Sequence, residues 1–431
     1  MKDIMKIIAG QGLKGDFFIP GDKSISHRSV MFSALGDKPV RIKNFLNSQD
    51  CLSTVKCIQA LGVKVDFINE NEIVIYGKGI HGLTEPSDVL DAGNSGTTLR
   101  LMMGILAAQP FFSTFTGDQS LRKRPMRRVI NPLSEMKAKL VSREDSKYLP
   151  LAIIPVDKLQ AINYAMPMAS AQVKSAILLA GMYAEGETIV TEPYTSRDHT
   201  ERMFETFGVK LRKFGTSIGI KKVDKFVSPE EIVVPGDISS AAFWLVAASI
   251  IPNSKLIIRN IGINPTRTGI LDVLKDMGAN IEIVNEKWSG KEPVADFIVR
   301  SAELKGVTFG AEIMPRLIDE IPILTVAAMF AEGDTIISGA GELRVKETDR
   351  LAAIEAEFTK MGAKIQATDD GLIIHGKAAL KEAECYSYHD HRIAMALAIA
   401  GMAAHGVTIQ SPHCVDISYP NFYTVLNELK K

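Results

Sequence analysis

The 431-residue chain has no excess charge of either sign, because 50 Lys and Arg stand against 50 Asp and Glu. A neutral chain sets up no overall field, which excludes the non-specific pull that draws basic proteins to nucleic acid or anionic membranes. Any anion site must be built locally. Cysteine is scarce, and the four present (Cys51, Cys57, Cys385 and Cys414) include no CxxC pair. That excludes a paired-cysteine metal or redox motif and fits reduced thiols. No apolar run reaches the roughly 18 residues that span a bilayer. The opening MKDIMKIIAGQGLKG also lacks the apolar core of a secretory signal, so a globular protein of the cytoplasm is expected. A nucleotide loop is missing too. GDKS lacks the spaced first glycine of a P-loop, and the GxGxxG matches at Gly10-Gly12-Gly15 and Gly77-Gly79-Gly82 lead to DFFIP and LTEPSD, not to helices.

What the chain does have is repetition. The strand-like segments KPVRIKNF (38–45), PFFSTFTG (110–117), ETIVTEPY (187–194), SKLIIRNI (254–261), DTIISGAG (334–341) and VTIQSPHC (407–414) recur roughly every 70–80 residues. Before each lies an apolar helix rich in small residues: SISHRSVMFSALG, NSGTTLRLMMGILAA, SAQVKSAILLAGMYA, SSAAFWLVAASII, DEIPILTVAAMFAEG and HRIAMALAIAGMAAHG. Helices with so little charge on any face are buried all round. After each strand comes a polar loop and an amphipathic helix, and four of these helices stop at glycine, in ALGVKVDF, TFGVKLRK, DMGANIEI and KMGAKIQA. The pattern predicts an α/β protein of two similar lobes, three units each, with helices inside and sheets facing solvent. Pro-Gly-Asp turns recur in IPGDKS and VPGDIS, where the chain is expected to cross between lobes. The expected lobes are 1–18 with 236–431, and 19–235.

The starts of the apolar helices carry the chemistry. A buried helix N-terminus presents N–H groups and the positive end of a dipole, and so suits a phosphate or carboxylate. Asp91-Ala92-Gly93-Asn94-Ser95-Gly96 opens one such helix with small residues. GDKSISHRS places Lys23, Ser24 and Arg28 at another, and ASAQVKS places Ser170 and Gln172 at a third. Arg124 belongs to RKRPMRR, five cations in seven residues, and Arg197 to TSRDHTE; both follow strands. In the second half, Asp319 and Glu320 stand where the fifth apolar helix begins, with an N-cap role open to Asp319. GELRVKETDR brings Arg344, Lys346, Glu347 and Arg350, whose cations favour the ionised form of Glu347. His389-Asp390-His391-Arg392 heads the last helix, with no third cluster nearby to complete a metal site. Cations, helix starts and two acids suit a transferase or lyase acting on two small polyanions without metal or cofactor.

With GDKSISHRS, DAGNSGTTLRLMMGIL, GDQSLRKRPM, MASAQVKSA, RVKETDR and DHRIAMA in view, the sequence closely resembles the 5-enolpyruvylshikimate-3-phosphate synthase (3-phosphoshikimate 1-carboxyvinyltransferase) family over essentially its whole length. Ser170-Ala171-Gln172-x-Lys174, Arg197-x-His199-x-Glu201 and Asn264-x-Thr266-Arg267 look like its class II branch. The resemblance implies two lobes of three βαβαββ units. It also implies transfer of the enolpyruvyl group of phosphoenolpyruvate to the 5-hydroxyl of shikimate 3-phosphate, with release of phosphate. Lys23, Ser24, Arg28, Ser170, Gln172, Arg197, Asp319 and Lys346 would hold shikimate 3-phosphate. Lys23, Gly96, Arg124, Gln172, Arg350 and Arg392 would hold phosphoenolpyruvate. Asp319 would be the base for the 5-hydroxyl, Glu347 the proton donor to the methylene carbon, and Lys23 a stabiliser of the departing phosphate. A cytoplasmic monomer with two small-molecule substrates is expected, with no nucleic-acid or membrane partner.

Two positions depart from the family pattern. Ile417 stands where class I members have a lysine, and Gly96 stands where some herbicide-tolerant class II members carry alanine. Two rival readings remain. One is enolpyruvyl transfer to UDP-N-acetylglucosamine, whose reactive loop usually carries a cysteine that residues 110–128 lack. The other is a non-catalytic repeat protein that captures polyanions.

Overall fold

A computed structural model describes residues 3–430. The chain divides into two units: a terminal unit of Met1–Pro20, Pro235–Trp288 and Glu292–Lys431, and a central unit of Gly21–Val234 with Ser289–Lys291. Each has its own hydrophobic core.

The central core is built on helices α1 (Lys23–Ala34), α2 (Gly96–Leu106) and α3 (Ala171–Gly181). The terminal core is built on α4 (Ile238–Ile250), α5 (Ile321–Phe330) and α6 (His391–Ala403). These are the six apolar segments read from the sequence. α4 buries every residue from Ile238 to Ser249 and α6 every residue from His391 to Met402. With no polar face to offer water, such helices are stable only inside. Small residues let them approach closely: a Cβ on Gly104 of α2 would collide with the Ala176 carbonyl of α3.

Among the described residues each unit wraps three sheets around its helices. In the central unit the strand orders are Glu231–Val233, Pro39–Lys43, Glu72–Tyr76, Lys64–Asn69; Leu90–Asp91, Ser113–Thr116, Tyr148–Ile154, Lys139–Ser142; and Asn163–Ala165, Glu187–Thr191, Ser217–Lys221, Arg212–Phe214. Each sheet pairs its first two strands in parallel and the rest antiparallel. A parallel pair needs a crossover connection, which α2 supplies in the second of these sheets and α3 in the third.

Two features of the sheets depart from the simple repeat. Strand Lys14–Phe18 precedes α1 in sequence yet pairs with Lys255–Gly262, the strand after α4. Strand Glu231–Val233 precedes α4 yet pairs with Pro39–Lys43, the strand after α1. The two leading strands are thus exchanged, each followed at once by its Pro-Gly-Asp turn. The last sheet has three strands, and Ile4–Ile7 from the start of the chain supplies the antiparallel partner of Val407–Gln410. The sixth unit is therefore not a complete βαβαββ run in sequence.

The outer helices Gln49–Ala60, His199–Thr206, Gly269–Asp276 and Arg350–Lys360 turn into strands at Gly62, Gly208, Gly278 and Gly362, with φ of +84°, +79°, +87° and +95°. Glycine enters this left-handed region without the Cβ penalty. A fifth, Arg127–Glu135, makes the same turn at Lys137, with φ of +70°, so its sequence shows no glycine stop.

Candidate active-site clusters

The starts of the core helices differ in how they are capped. Asp22 accepts from the Ile25 N–H at 2.8 Å, Ser95 from Thr98 at 3.1 Å, Asp237 from Ser239 at 2.8 Å and Asp390 from Arg392 at 2.9 Å. The N-cap residues of α3 and α5, Ser170 and Glu320, make no such side-chain bond. Asp319, for which a cap was a candidate role, lies one residue earlier in a short 3-10 turn, Ile318–Glu320, and is not a cap.

In the central unit the polar side chains converge on the start of α2. From α1, His27 Nδ1 meets Thr54 Oγ1 at 2.6 Å, which meets Thr98 Oγ1 at 2.6 Å. From α3, Gln172 donates to Thr97 Oγ1 at 3.0 Å and accepts from Arg100 Nη1 at 2.6 Å. Arg124 is buried, and its Nη2 donates to Asn94 Oδ1 at 2.8 Å and to Ser120 Oγ at 3.2 Å. Gly96 faces both arginines: a Cβ there would lie 2.8 Å from Arg100 Nη1 and 3.6 Å from Arg124 Nη1. Lys23, half-buried, pairs with Asp50 at 3.1 Å. Arg28 is buried, donating to Thr200 Oγ1 at 2.7 Å, Ser175 Oγ at 3.0 Å and the Ser24 carbonyl at 2.9 Å. Ser170 and Arg197 are half-buried, Ser170 at the mouth of α3 and Arg197 on the loop before helix His199–Thr206.

Three other cations of RKRPMRR diverge from this cluster. Arg122 and Lys123 are exposed, and Arg127 pairs with Asp145 at 2.7 Å.

In the terminal unit Arg350 is the hub. Its Nε donates to Asp390 Oδ2 at 2.7 Å, its Nη2 to Glu347 Oε2 at 2.7 Å and its Nη1 to Asp319 Oδ1 at 3.4 Å. Burial, the largest influence, opposes its charge. The carboxylates of Asp390, Glu347 and Asp319 outweigh it and hold the pKa above the usual arginine value. Lys346 lies 3.5 Å from Asp319 Oδ1. Arg392 Nη1 donates to the Asp319 carbonyl at 2.9 Å and reaches Glu320 Oε1 at 3.4 Å. Glu320 also accepts from Ser239, which accepts from Arg267 Nη2 at 2.6 Å. Asp319, Lys346, Glu347, Arg350 and Arg392 thus form one network. Arg344 does not join it: its guanidinium turns to the Thr368 and Asp369 carbonyls and to Asp349.

Both clusters pair guanidinium or ammonium groups with helix starts, which suits phosphate and carboxylate ligands. The terminal cluster adds two acids, each with a side chain mostly withdrawn from water, at 15% and 17% exposure for Asp319 and Glu347. Several partners escaped the sequence reading. Asp50 lies outside every motif named above, and Asn94, Ser175, Thr200, Arg267 and Asp390 stand inside such motifs with no role assigned to them.

The family model described as EPSP synthase (3-phosphoshikimate 1-carboxyvinyltransferase) matches residues 7–426. A 3-phosphoshikimate 1-carboxyvinyltransferase of Bacillus cereus (strain G9842) is 55% identical over 423 residues, 97% of each chain. One from Bacillus thuringiensis (strain Al Hakam) is 54% identical over 434 residues, the whole of both. Among solved structures, an EPSP synthase from Acinetobacter baumannii is similar with a TM-score of 0.88 and 43% identity, covering 99% of this chain and 98% of that one. The enolpyruvyl transferase NikO from Streptomyces tendae shares the fold, with a TM-score of 0.81 at 17% identity, over 100% of this chain and 98% of its own.

Proposed function

The chain belongs to the EPSP synthase family, and from that premise we propose how its residues divide the work. The reaction moves the enolpyruvyl group of phosphoenolpyruvate to the 5-hydroxyl of shikimate 3-phosphate and releases phosphate. Lys23, Ser24, Arg28, Ser170, Gln172, Arg197, Asp319 and Lys346 hold shikimate 3-phosphate. Lys23, Gly96, Arg124, Gln172, Arg350 and Arg392 hold phosphoenolpyruvate. Asp319 takes the 5-hydroxyl proton as the oxygen attacks C2 of phosphoenolpyruvate, while Glu347 protonates C3. In the second step the C2–phosphate bond breaks, C3 gives a proton back, and Lys23 stabilises the departing phosphate. The observation that supports this division is the Asp319–Arg350–Glu347 network, with two acids on one buried guanidinium. Neither metal nor cofactor takes part. No helix among the described residues is long and apolar enough to cross a membrane. In this reading the enzyme works in the cytoplasm as a monomer on two small molecules, with no nucleic-acid or membrane partner.

The test measures phosphate release from phosphoenolpyruvate with each acceptor in turn. Release is expected with shikimate 3-phosphate and none with UDP-N-acetylglucosamine. The reverse result overturns the reading, and binding without turnover by either acceptor returns the protein to a polyanion-capturing role.

A further inference from the structure

Lys174 lies on α3 with its side chain only 1% exposed, and the proposed mechanism does not use it. An ammonium has three N–H donors, and here each finds an acceptor on a different part of the following chain. They reach Glu192 Oε2 at 2.8 Å, the Ser196 carbonyl at 3.3 Å and Glu201 Oε1 at 2.8 Å. Glu192 in turn accepts from the Ser196 N–H at 3.2 Å and from its hydroxyl. Residues 192–196 are thereby closed on themselves, and the next residue is Arg197. Glu201 sits in the first turn of helix His199–Thr206, so the same ammonium also fixes where that helix begins.

The neighbouring residue does a matching job. Ser175 Oγ lies 2.6 Å from Thr200 Oγ1, and Arg28 donates to both. Two adjacent residues of α3 therefore set the loop that carries Arg197 and the seat of Arg28. Both arginines belong to the set assigned to shikimate 3-phosphate.

Resting on the function proposed above, we infer that Lys174 is a positioning residue for the shikimate 3-phosphate half of the site. It acts by clamping Glu192, Ser196 and Glu201, so that Arg197 is presented in one place. A lysine between two carboxylates is a poor device for stability alone, because desolvation of three charges offsets most of their attraction. Burial, the largest influence on the ammonium, opposes its charge, yet Glu201 and Glu192 hold its pKa above the usual lysine value.

The experiment measures initial rates and calorimetric binding of shikimate 3-phosphate for wild type, Lys174→Met and Lys174→Met/Glu201→Gln. The double variant removes one of the two carboxylates that the first leaves without their cation, and so recovers part of the lost melting temperature. We expect the KM for shikimate 3-phosphate to rise about tenfold or more in both variants, with the KM for phosphoenolpyruvate within about twofold. The recovered melting temperature of the double variant should not restore the first KM. An unchanged KM for shikimate 3-phosphate overturns the inference, as do equal rises for both substrates that vanish with recovered stability. Absence of turnover in wild type instead overturns the proposed reaction itself.

Discussion

Arg350 and Asp390 form an ion pair in the terminal unit with side chains 1% and 0% exposed, joined Nε to Oδ2 at 2.7 Å. The same carboxylate accepts the Arg392 N–H at 2.9 Å, so one aspartate orients one arginine and caps the helix that carries another. Removing one partner of such a pair leaves a buried charge short of its counterion. Asp390→Asn is expected to lower unfolding free energy by about 3 kcal/mol in urea titration. It should also raise the KM for phosphoenolpyruvate. A loss below about 1 kcal/mol would show that Glu347 and Asp319 compensate Arg350 on their own.

Gly96 offers a gentler perturbation. A methyl group there would stand 2.8 Å from Arg100 Nη1, which is bonded to Gln172, and 3.6 Å from Arg124 Nη1. The Arg100 guanidinium end can give way, so Gly96→Ala should change stability by less than about 1 kcal/mol. Displacing it disturbs the Gln172 side chain bonded to it and should raise the KM for phosphoenolpyruvate several-fold, as roughly 1 kcal/mol of lost binding implies. Initial-rate measurements with each substrate varied in turn check this. A KM for phosphoenolpyruvate equal to wild type would count against Gly96 and Gln172 as contacts of that substrate.

His27 gives the fold a pH dependence. Complete burial, then the charges of Lys23 and Arg28, hold its pKa well below the ordinary 6.5. In the unfolded chain it titrates near that ordinary value, so below pH 6.5 the unfolded state binds a proton that the native state refuses. Stability from this group is therefore full above pH 6.5 and falls as pH drops toward the native pKa. The slope approaches about 1.4 kcal/mol per pH unit. Urea midpoints from pH 7 to 5 should fall more steeply for wild type than for His27→Gln. Parallel curves would remove His27 from the acid sensitivity.

Much of this was legible from residue types at fixed offsets. The six apolar helices stood out because a helix without a polar face has to be buried, and four outer helices announced their ends with glycine. The fifth end was hidden because Lys137 takes the left-handed conformation itself. The exchange of leading strands had no local signal beyond the repeated Pro-Gly-Asp turns, because strand pairing is decided by the sheet and not by the segment.

The candidate cations were legible as types, but their partners were not. Arg28 bonds Ser175 and Thr200 across 147 and 172 residues of sequence. Arg344 shows the opposite failure: three residues before Glu347, it belongs by motif, yet its fork is spent on the carbonyls of Thr368 and Asp369.

Glu347 is the most exacting probe of the account, because only a proton donor needs its acidity there. Glu347→Gln keeps the shape and still offers Arg350 Nη2 an acceptor, but it cannot protonate a methylene carbon. Steady-state phosphate release with shikimate 3-phosphate and phosphoenolpyruvate should show kcat reduced by about 10²-fold or more, with both KM values within a few-fold of wild type. A kcat equal to wild type would contradict the acid–base assignment and the terminal-unit chemistry built on it.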